Sequence, residues 1–320
     1  MDPLSDVLSL LKLQTYMAGG FDIGGEWSIR FGPHQGIKCY ALVSGRCWLA
    51  VEGIADPIRL ETGDCFLLPR GLPFRLASDL NLPSVNAPTL YRTAGAGAIQ
   101  TWNGGGDCIG VGSHFAFTGI HARTLLNELP HIVHLRSESD KAELRWSLER
   151  MMQELREQRP GASLVAQQLA TAMLVQALRL HLAEGFNNRT GWLIALVDDK
   201  MKAAITSMHN DPAHRWTLQE LAARSGMSRS IFALKFKATV GTSPMEYLTR
   251  WRMLLAGDRL TSSADPISAI SRSLGYESES AFSKAFKRVM VSSPRQYRRG
   301  QDSAPAAYIE RDTATLVAAH

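Results

Sequence analysis

Residues 226–237, Gly-Met-Ser-Arg-Ser-Ile-Phe-Ala-Leu-Lys-Phe-Lys, and residues 275–287, Gly-Tyr-Glu-Ser-Glu-Ser-Ala-Phe-Ser-Lys-Ala-Phe-Lys, carry nearly the same message twice. Ser230, Phe232, Phe236, Lys237, Ser243, Pro244 and Tyr247 recur as Ser280, Phe282, Phe286, Lys287, Ser293, Pro294 and Tyr297. A shared frame of that kind is hard to obtain by chance. Each copy has a short helix, a glycine-bearing turn and a second helix, which is helix-turn-helix grammar in duplicate.

The local chemistry supports this. In the first copy Thr217 and Glu220 have the spacing of a capping box, so a helix starts at Thr217. Gly226 tolerates the left-handed backbone that ends it, and Ser228 caps the next helix. In that helix Ile231, Phe232 and Phe236 form the expected apolar side. Arg229, Ser230, Ala233 and Lys237 lie opposite, a face small or cationic enough to enter a major groove about 12 Å wide. The second copy is expected to start with Asp265 as cap and Pro266 at the first helical position, with Ile267, Ile270 and Leu274 inward. Ser278 then caps a helix with Phe282, Ala285, Phe286 and Val289 inside and Glu279, Ser280, Ser283, Lys284 and Lys287 outside. Between the copies, Ser243-Pro244-Met245-Glu246 and the 3.6-residue period of Tyr247, Leu248, Trp251, Leu254 and Leu255 predict one continuous linker helix.

Charge agrees with a nucleic-acid partner. Residues 198–300 hold 17 Lys or Arg against 9 Asp or Glu, whereas residues 1–197 hold 17 against 18. The basic excess sits on the duplicated segment, as phosphate binding requires. Arg229 and Lys237 are expected to hold phosphates, and Ser230, Ala233, Glu279, Ser280 and Ser283 to face base edges. Glu279 could accept from cytosine N4, though its charge opposes phosphate.

These residues resemble the bacterial AraC/XylS transcription regulators. The likeness runs through Trp216-Thr217-Leu218, Gly226-Met227-Ser228-Arg229-Ser230, Phe232, Phe236, Ser243-Pro244, Tyr247-Leu248 and Trp251-Arg252-Met253. It continues through Gly275-Tyr276, Ser278-Glu279-Ser280-Ala281-Phe282, Phe286-Lys287-Arg288, Pro294 and Tyr297-Arg298. The resemblance implies a two-reader domain on double-stranded promoter DNA, commonly in an activator that contacts RNA polymerase. Two positions depart from the pattern. Leu234 stands where relatives often carry an arginine, and Val291 replaces the glycine matched by Gly241, a position where a β-branched residue resists a positive φ.

At 320 residues with 45% hydrophobic content, the whole chain has room for a second domain. Asp2 and Asp6 lie within an amphipathic run (Leu4, Val7, Leu8, Leu11) unlike a signal peptide, so a cytoplasmic protein with no membrane partner is expected. From Gly24 to about Ser113 short strands alternate with turns. Ile37–Val43, Ser44-Gly45 and Cys47–Val51 read as a hairpin, and Gly63-Asp64 through Pro69-x-Gly71 resembles the second motif of the cupin barrel. That resemblance raises an alternative, a metal-dependent cupin enzyme fused to a DNA-binding domain. The ligands are missing, however: Phe74 stands where a last histidine belongs, and His34 and His114 are isolated. No metal, cofactor or catalytic residue is assigned, and a small-molecule effector is the expected ligand. Cys39, Cys47, Cys65 and Cys108 read as buried strand thiols, with redox sensing as their alternative role.

Two helical stripes follow. Leu144, Leu148, Met151, Met152 and Leu155 form one; Leu164, Leu169, Met173, Leu174, Ala177 and Leu178 form the other, after a break at Arg159-Pro160-Gly161. In regulators of this resemblance such helices commonly pair two chains as a homodimer. The expected architecture is α+β in two domains. Residues 1–190 hold a cupin-like β-barrel (about 24–115) with a trailing helical pair (about 121–185). Residues 191–300 form an all-α double helix-turn-helix, and residues 301–320 a flexible tail. Gly185–Gly191 is the expected linker.

Overall fold

The computed structural model describes residues 2–11, 13–88, 98–117, 129–183, 191 and 195–302. Residues 185–190 of the expected linker, the residues before 129 in the helical pair and nearly all of the tail lie outside that set. The chain forms two compact units, Leu13–His181 on one hand and Met1–Lys12 with Leu182–Tyr308 on the other.

Among the described residues the first unit has eleven strands: β1 (Leu13–Ile23), β2 (Ser28–Phe31), β3 (Ile37–Ser44), β4 (Arg46–Val51), β5 (Ile58–Glu61), β6 (Cys65–Leu68), β7 (Phe74–Ala77), β8 (Val85–Asn86), β9 (Ile99–Trp102), β10 (Cys108–Phe117) and β11 (Val133–Leu135). They form a sheet of order β11-β6-β3-β10-β1-β9 and a second of order β5-β4-β7-β2-β8. Phe21, Ile23, Leu42, Leu49, Leu60, Phe66, Phe74 and Leu76 belong to one apolar core. Among the described residues the sheets do not close on each other, so the expected barrel is realised as two sheets. The expected hairpin is not formed either. β3 pairs with β10 and β6, β4 with β5 and β7. Gly45 passes the chain between sheets with φ +88°, where an added Cβ would lie 2.0 Å from the Asp107 carbonyl oxygen.

Helices α2 (Glu138–Glu157) and α3 (Ala162–Ala183) follow in the same unit. The first stripe is buried throughout, and so is the second except Leu164, which lies in solvent as does Trp146 on α2. A hydroxyl of Ser137 accepts from the Asp140 amide to start α2.

The second unit begins with α1 (Pro3–Leu11), which packs on α4 (Asp199–Asn210) and α7 (Pro244–Ser262). Leu4 and Val7 are buried. His209 of α4 stacks on Trp251 at 3.7 Å; its Nδ1 lies 3.3 Å from Asp6 Oδ2 and its Nε2 2.9 Å from the Tyr247 hydroxyl. Burial lowers the His209 pKa to about 3. The ring is therefore neutral, with Nδ1–H donating to Asp6 and Nε2 accepting from Tyr247.

The duplicated segment supplies α5 (Leu218–Arg224), α6 (Arg229–Val240), α8 (Ile267–Ser273), α9 (Glu279–Met290) and α10 (Pro294–Asp302), with α7 as the continuous link. The Thr217–Glu220 capping box is present in both directions, at 2.7 Å and 3.2 Å. Ser228, Ser243 and Ser278 cap α6, α7 and α9. Asp265, expected as the cap of α8, is not the cap. Pro266 takes that place with extended φ and ψ, no side chain caps the helix, and the Asp265 amide turns back to the Ser263 hydroxyl. The proline sits one position earlier than a first-turn proline, leaving the aspartate out of reach.

Val291 ends α9 at φ +61°, where Gly241 ends α6 at +86°. A left-handed conformation costs an ordinary residue about 1–2 kcal/mol, and Gly itself returns about 0.5–1 kcal/mol of that in chain entropy. Val291 is 87% exposed, so its side chain contributes little packing. Val291→Gly is expected to stabilise the chain by up to about 1 kcal/mol. A lower melting temperature for the variant in a thermal denaturation scan would contradict the strain.

Candidate nucleic-acid interface

Each reading helix is positioned by two phenylalanines one turn apart. Phe232 and Phe236 of α6 are fully buried, and so are Phe282 and Phe286 of α9. Phe282 and Phe286 pack with Met253, Ala256 and Leu260 of α7, Ile270, Leu274 and Tyr297. The inside–outside sequence of α6 from Arg229 to Thr239 matches that of α9 from Glu279 to Val289 residue for residue. Burial of an equivalent pair has turned both helices the same way about their axes.

Outward lie Arg229, Ser230 and Lys237 on α6, and Glu279, Ser280, Lys284 and Lys287 on α9; Ala233 and Ser283 are half-buried at equivalent positions. Ser278 is committed to its cap, accepting from the Ala281 amide at 3.2 Å. Two apolar residues of α6 also reach solvent. Ile231, expected inside, is 59% exposed and Leu234 is 74% exposed. The second is the position marked in the sequence as departing from the relatives' arginine, and it occupies the place of Lys284 in the repeat.

The two copies are tied together by the linker helix and the turns. Arg252 of α7 donates through Nε to the Pro212 carbonyl at 2.6 Å and through Nη2 to the His214 carbonyl at 2.8 Å. Its guanidinium also lies 5.7 Å from the centre of the Tyr276 ring in the second turn. Burial, ahead of the favourable influence of Tyr276 and Asp211, lowers the Arg252 pKa. Gly275 at φ +79° packs so closely that an added Cβ would lie 2.2 Å from the Ala213 carbonyl oxygen, and Arg215 pairs with Glu277. The segment before the first copy is thus bound to the turn of the second.

In the sheet unit, His34 and His114, expected to be isolated, are brought together with ring centroids 5.9 Å apart. Phe74 stacks on Phe31 at 4.4 Å, and the Lys38 ammonium lies 5.1 Å and 5.4 Å from those rings. Among the described residues neither ring nitrogen of His34 meets a hydrogen-bond partner, and burial followed by the charges of Lys38 and His114 lowers its pKa to about 3. These donors do not fit a metal ion. Two imidazoles converge, a phenylalanine stands for the third, and an ammonium adds charge of the wrong sign. The four cysteines are buried. Cys39 and Cys65 have sulfurs 4.0 Å apart, and the hydrogen bond from Cys39, then burial, pushes the Cys65 thiol up. The Cys47–Cys108 contact pushes Cys47 up and Cys108 down.

A cupin family model matches residues 2–183, and a helix-turn-helix domain model matches residues 221–300. The chain is 42% identical over 300 residues to an AraC-like transcription regulator of Streptomyces antibioticus, covering 93% of this chain and 99% of that one. It is 28% identical over 303 residues to the RCS-specific transcriptional activator RclR of Escherichia coli K12, covering 93% and 97%. Among solved structures, the DNA-binding domain of AdpA in complex with a target DNA is similar at 27% identity over 31% of this chain and 90% of that one, with a TM-score of 0.30.

Removing the Arg252 guanidinium leaves two carbonyls without their donor. Arg252→Ala is expected to destabilise the chain by about 1–3 kcal/mol. It is also expected to weaken binding to a duplex that offers two consecutive grooves more than to one that offers a single groove. An equal loss on both duplexes would show that the residue does not fix the spacing of the copies.

Proposed function

The chain belongs to the AraC-like transcription regulators, and from that membership we propose that α6 and α9 enter consecutive major grooves of promoter DNA. The observation that carries the reading is the identical exposure pattern of two helices within a segment whose net charge is +8. Two such helices must sit about one turn of B-DNA apart, roughly 34 Å, and a shared linker helix is the element suited to hold them. The division proposed is sensing in residues 1–190, DNA binding in 191–300 and a tail beyond, with α1 nevertheless packed in the second unit.

In this reading Arg229, Lys237, Lys284 and Lys287 hold phosphates, while Ser230, Ala233, Ser280 and Ser283 face base edges. Leu234 and Ile231 give α6 an apolar contact suited to thymine methyl groups. The sheet unit senses a small effector, and its response changes how the duplicated segment is held, which alters affinity for DNA. A second form of the signal is an oxidant acting on Cys39, Cys47, Cys65 or Cys108, favoured by the two close thiol pairs. We assign no catalysis, cofactor or metal. RNA polymerase is the proposed partner of an activating form, and α2 with α3 the proposed homodimer surface. The setting is cytoplasmic. Among the described residues no helix is long and apolar enough to cross a membrane.

Binding of the full chain to duplex DNA is expected to weaken steeply with salt, because phosphate contacts release counterions. A gel-shift titration insensitive to salt would sink the proposal. Within it, Lys237→Ala should weaken all sequences alike and reduce the salt slope by about 0.9. Leu234→Ala should keep the slope and lose discrimination at one A·T pair, worth about 1 kcal/mol. A base-selective loss for the lysine variant, or a uniform one for the leucine variant, would reverse these roles.

A further inference from the structure

Glu279 opens α9 at the place that Arg229 holds on α6, and an exposed carboxylate there opposes the approach of phosphate. Its surroundings change that balance. Glu279 lines a cavity of about 350 Å³ together with Pro266, Ile267, Ser268, Arg295, Arg298 and Arg299. The lining holds three guanidinium groups against one carboxylate. Fifty residues earlier the equivalents of those arginines are Met245, Leu248 and Thr249, all uncharged. The cationic wall therefore belongs to the second copy alone.

The three arginines are not equivalent. Arg298 serves the fold, donating through Nε to the Leu260 carbonyl at 3.3 Å and through Nη2 to the Asp265 carbonyl at 2.6 Å. That anchors α10 against the end of α7 and the approach to α8. Arg295 and Arg299, four residues apart on α10, share one side of the helix and are exposed. A guanidinium presents a planar fork of donors that matches two oxygens of a phosphate, which an ammonium cannot do.

Resting on the DNA-binding reading, we propose that this cavity seats a phosphodiester of the DNA backbone beside the groove that α9 enters. Arg295 and Arg299 take the phosphate oxygens. Glu279 sits within a net positive lining, so its repulsion of the backbone is offset where it arises. The second copy then grips the backbone from α10 as well as from α9, and the first copy has no counterpart.

The test uses the full chain and a labelled mixed-sequence duplex of about three helical turns, with affinity followed from about 50 to 200 mM salt. The R295A/R299A double variant is expected to bind about tenfold more weakly at the low end, with a salt slope smaller by about 0.9 for the phosphate lost. R295K/R299K, which keeps the charge, should recover the slope and only part of the affinity, and E279Q should bind more tightly than the natural chain. M245A, the first-copy control, should bind as the natural chain does. Matching melting temperatures establish that the variants are folded. If the natural chain shows no salt-dependent binding, the DNA reading itself fails. If it binds and R295A/R299A keeps its affinity and slope, the cavity proposal fails alone. Unchanged DNA affinity with lost transcription activation would assign the arginines to a protein partner and overturn it. Inorganic phosphate at matched ionic strength separates the remaining source. Competition no stronger than that of chloride supports a seat for backbone phosphate. Saturable phosphate binding to the DNA-free chain, with the DNA slope of the double variant unchanged, overturns it.

Discussion

Phe232 with Phe236, and Phe282 with Phe286, fix the rotation of two helices about their own axes, and nearly everything proposed for this protein depends on that rotation. Burying each ring is worth about 1.5–3 kcal/mol relative to leaving it in water. Turning either helix by one residue would expose both of its rings and bury polar or charged neighbours without partners. The outward face is therefore set by what the inward face must hide. The matching exposure of α6 and α9 follows from the repeated phenylalanines, and does not require that the outward residues themselves be alike.

Orientation of each helix is of limited use unless the pair is also fixed in separation. The chain achieves this with α7, whose Leu248 and Trp251 are buried near the first copy while Met253, Ala256 and Leu260 join the core of the second. Arg252 and Gly275 add contacts that a straight helix alone would lack, tying residues 212–214 to the turn at 275–276. Two weak readers held in register act as one strong one, because docking the first leaves the second at high effective concentration over the adjacent groove.

The caps, the linker helix and the inner face of each copy were legible because they rest on short-range rules: a hydroxyl three residues before an amide, a ring every fourth residue. Longer-range arrangements were not. The Ile37–Val51 stretch reads as a hairpin because its turn has the right residues, yet β3 and β4 enter different sheets, a choice made by partners tens of residues away. His34 and His114 looked isolated for the same reason, since only the pairing of β3 with β10 and the return of the loop at 32–36 bring the rings within 5.9 Å. Asp265 failed as a cap through a one-residue shift that sequence rules do not resolve. The docking of α1 beside His209, rather than within the unit that follows it in sequence, had no local signal at all.

The two readers share a pattern of exposure but not a chemistry, and the difference has a physical consequence. On α6 the outward residues include Ile231 and Leu234, uncharged groups that gain nothing from phosphate and that discriminate only by shape and by contact with methyl groups. At the matching place α9 offers Lys284, and α10 adds arginines where α7 has Met245 and Thr249. Apolar contact is short-ranged and insensitive to salt, whereas ionic contact acts over about a Debye length and weakens as salt rises. In the reading proposed above both copies draw on phosphate, α6 through Arg229 and Lys237, and α10 gives the second copy additional cations. On that reading Ile231 and Leu234 add to α6 a test of apolar fit in its groove. In the same reading the shared linker helix couples the two copies, so that a failed fit at one weakens the whole complex.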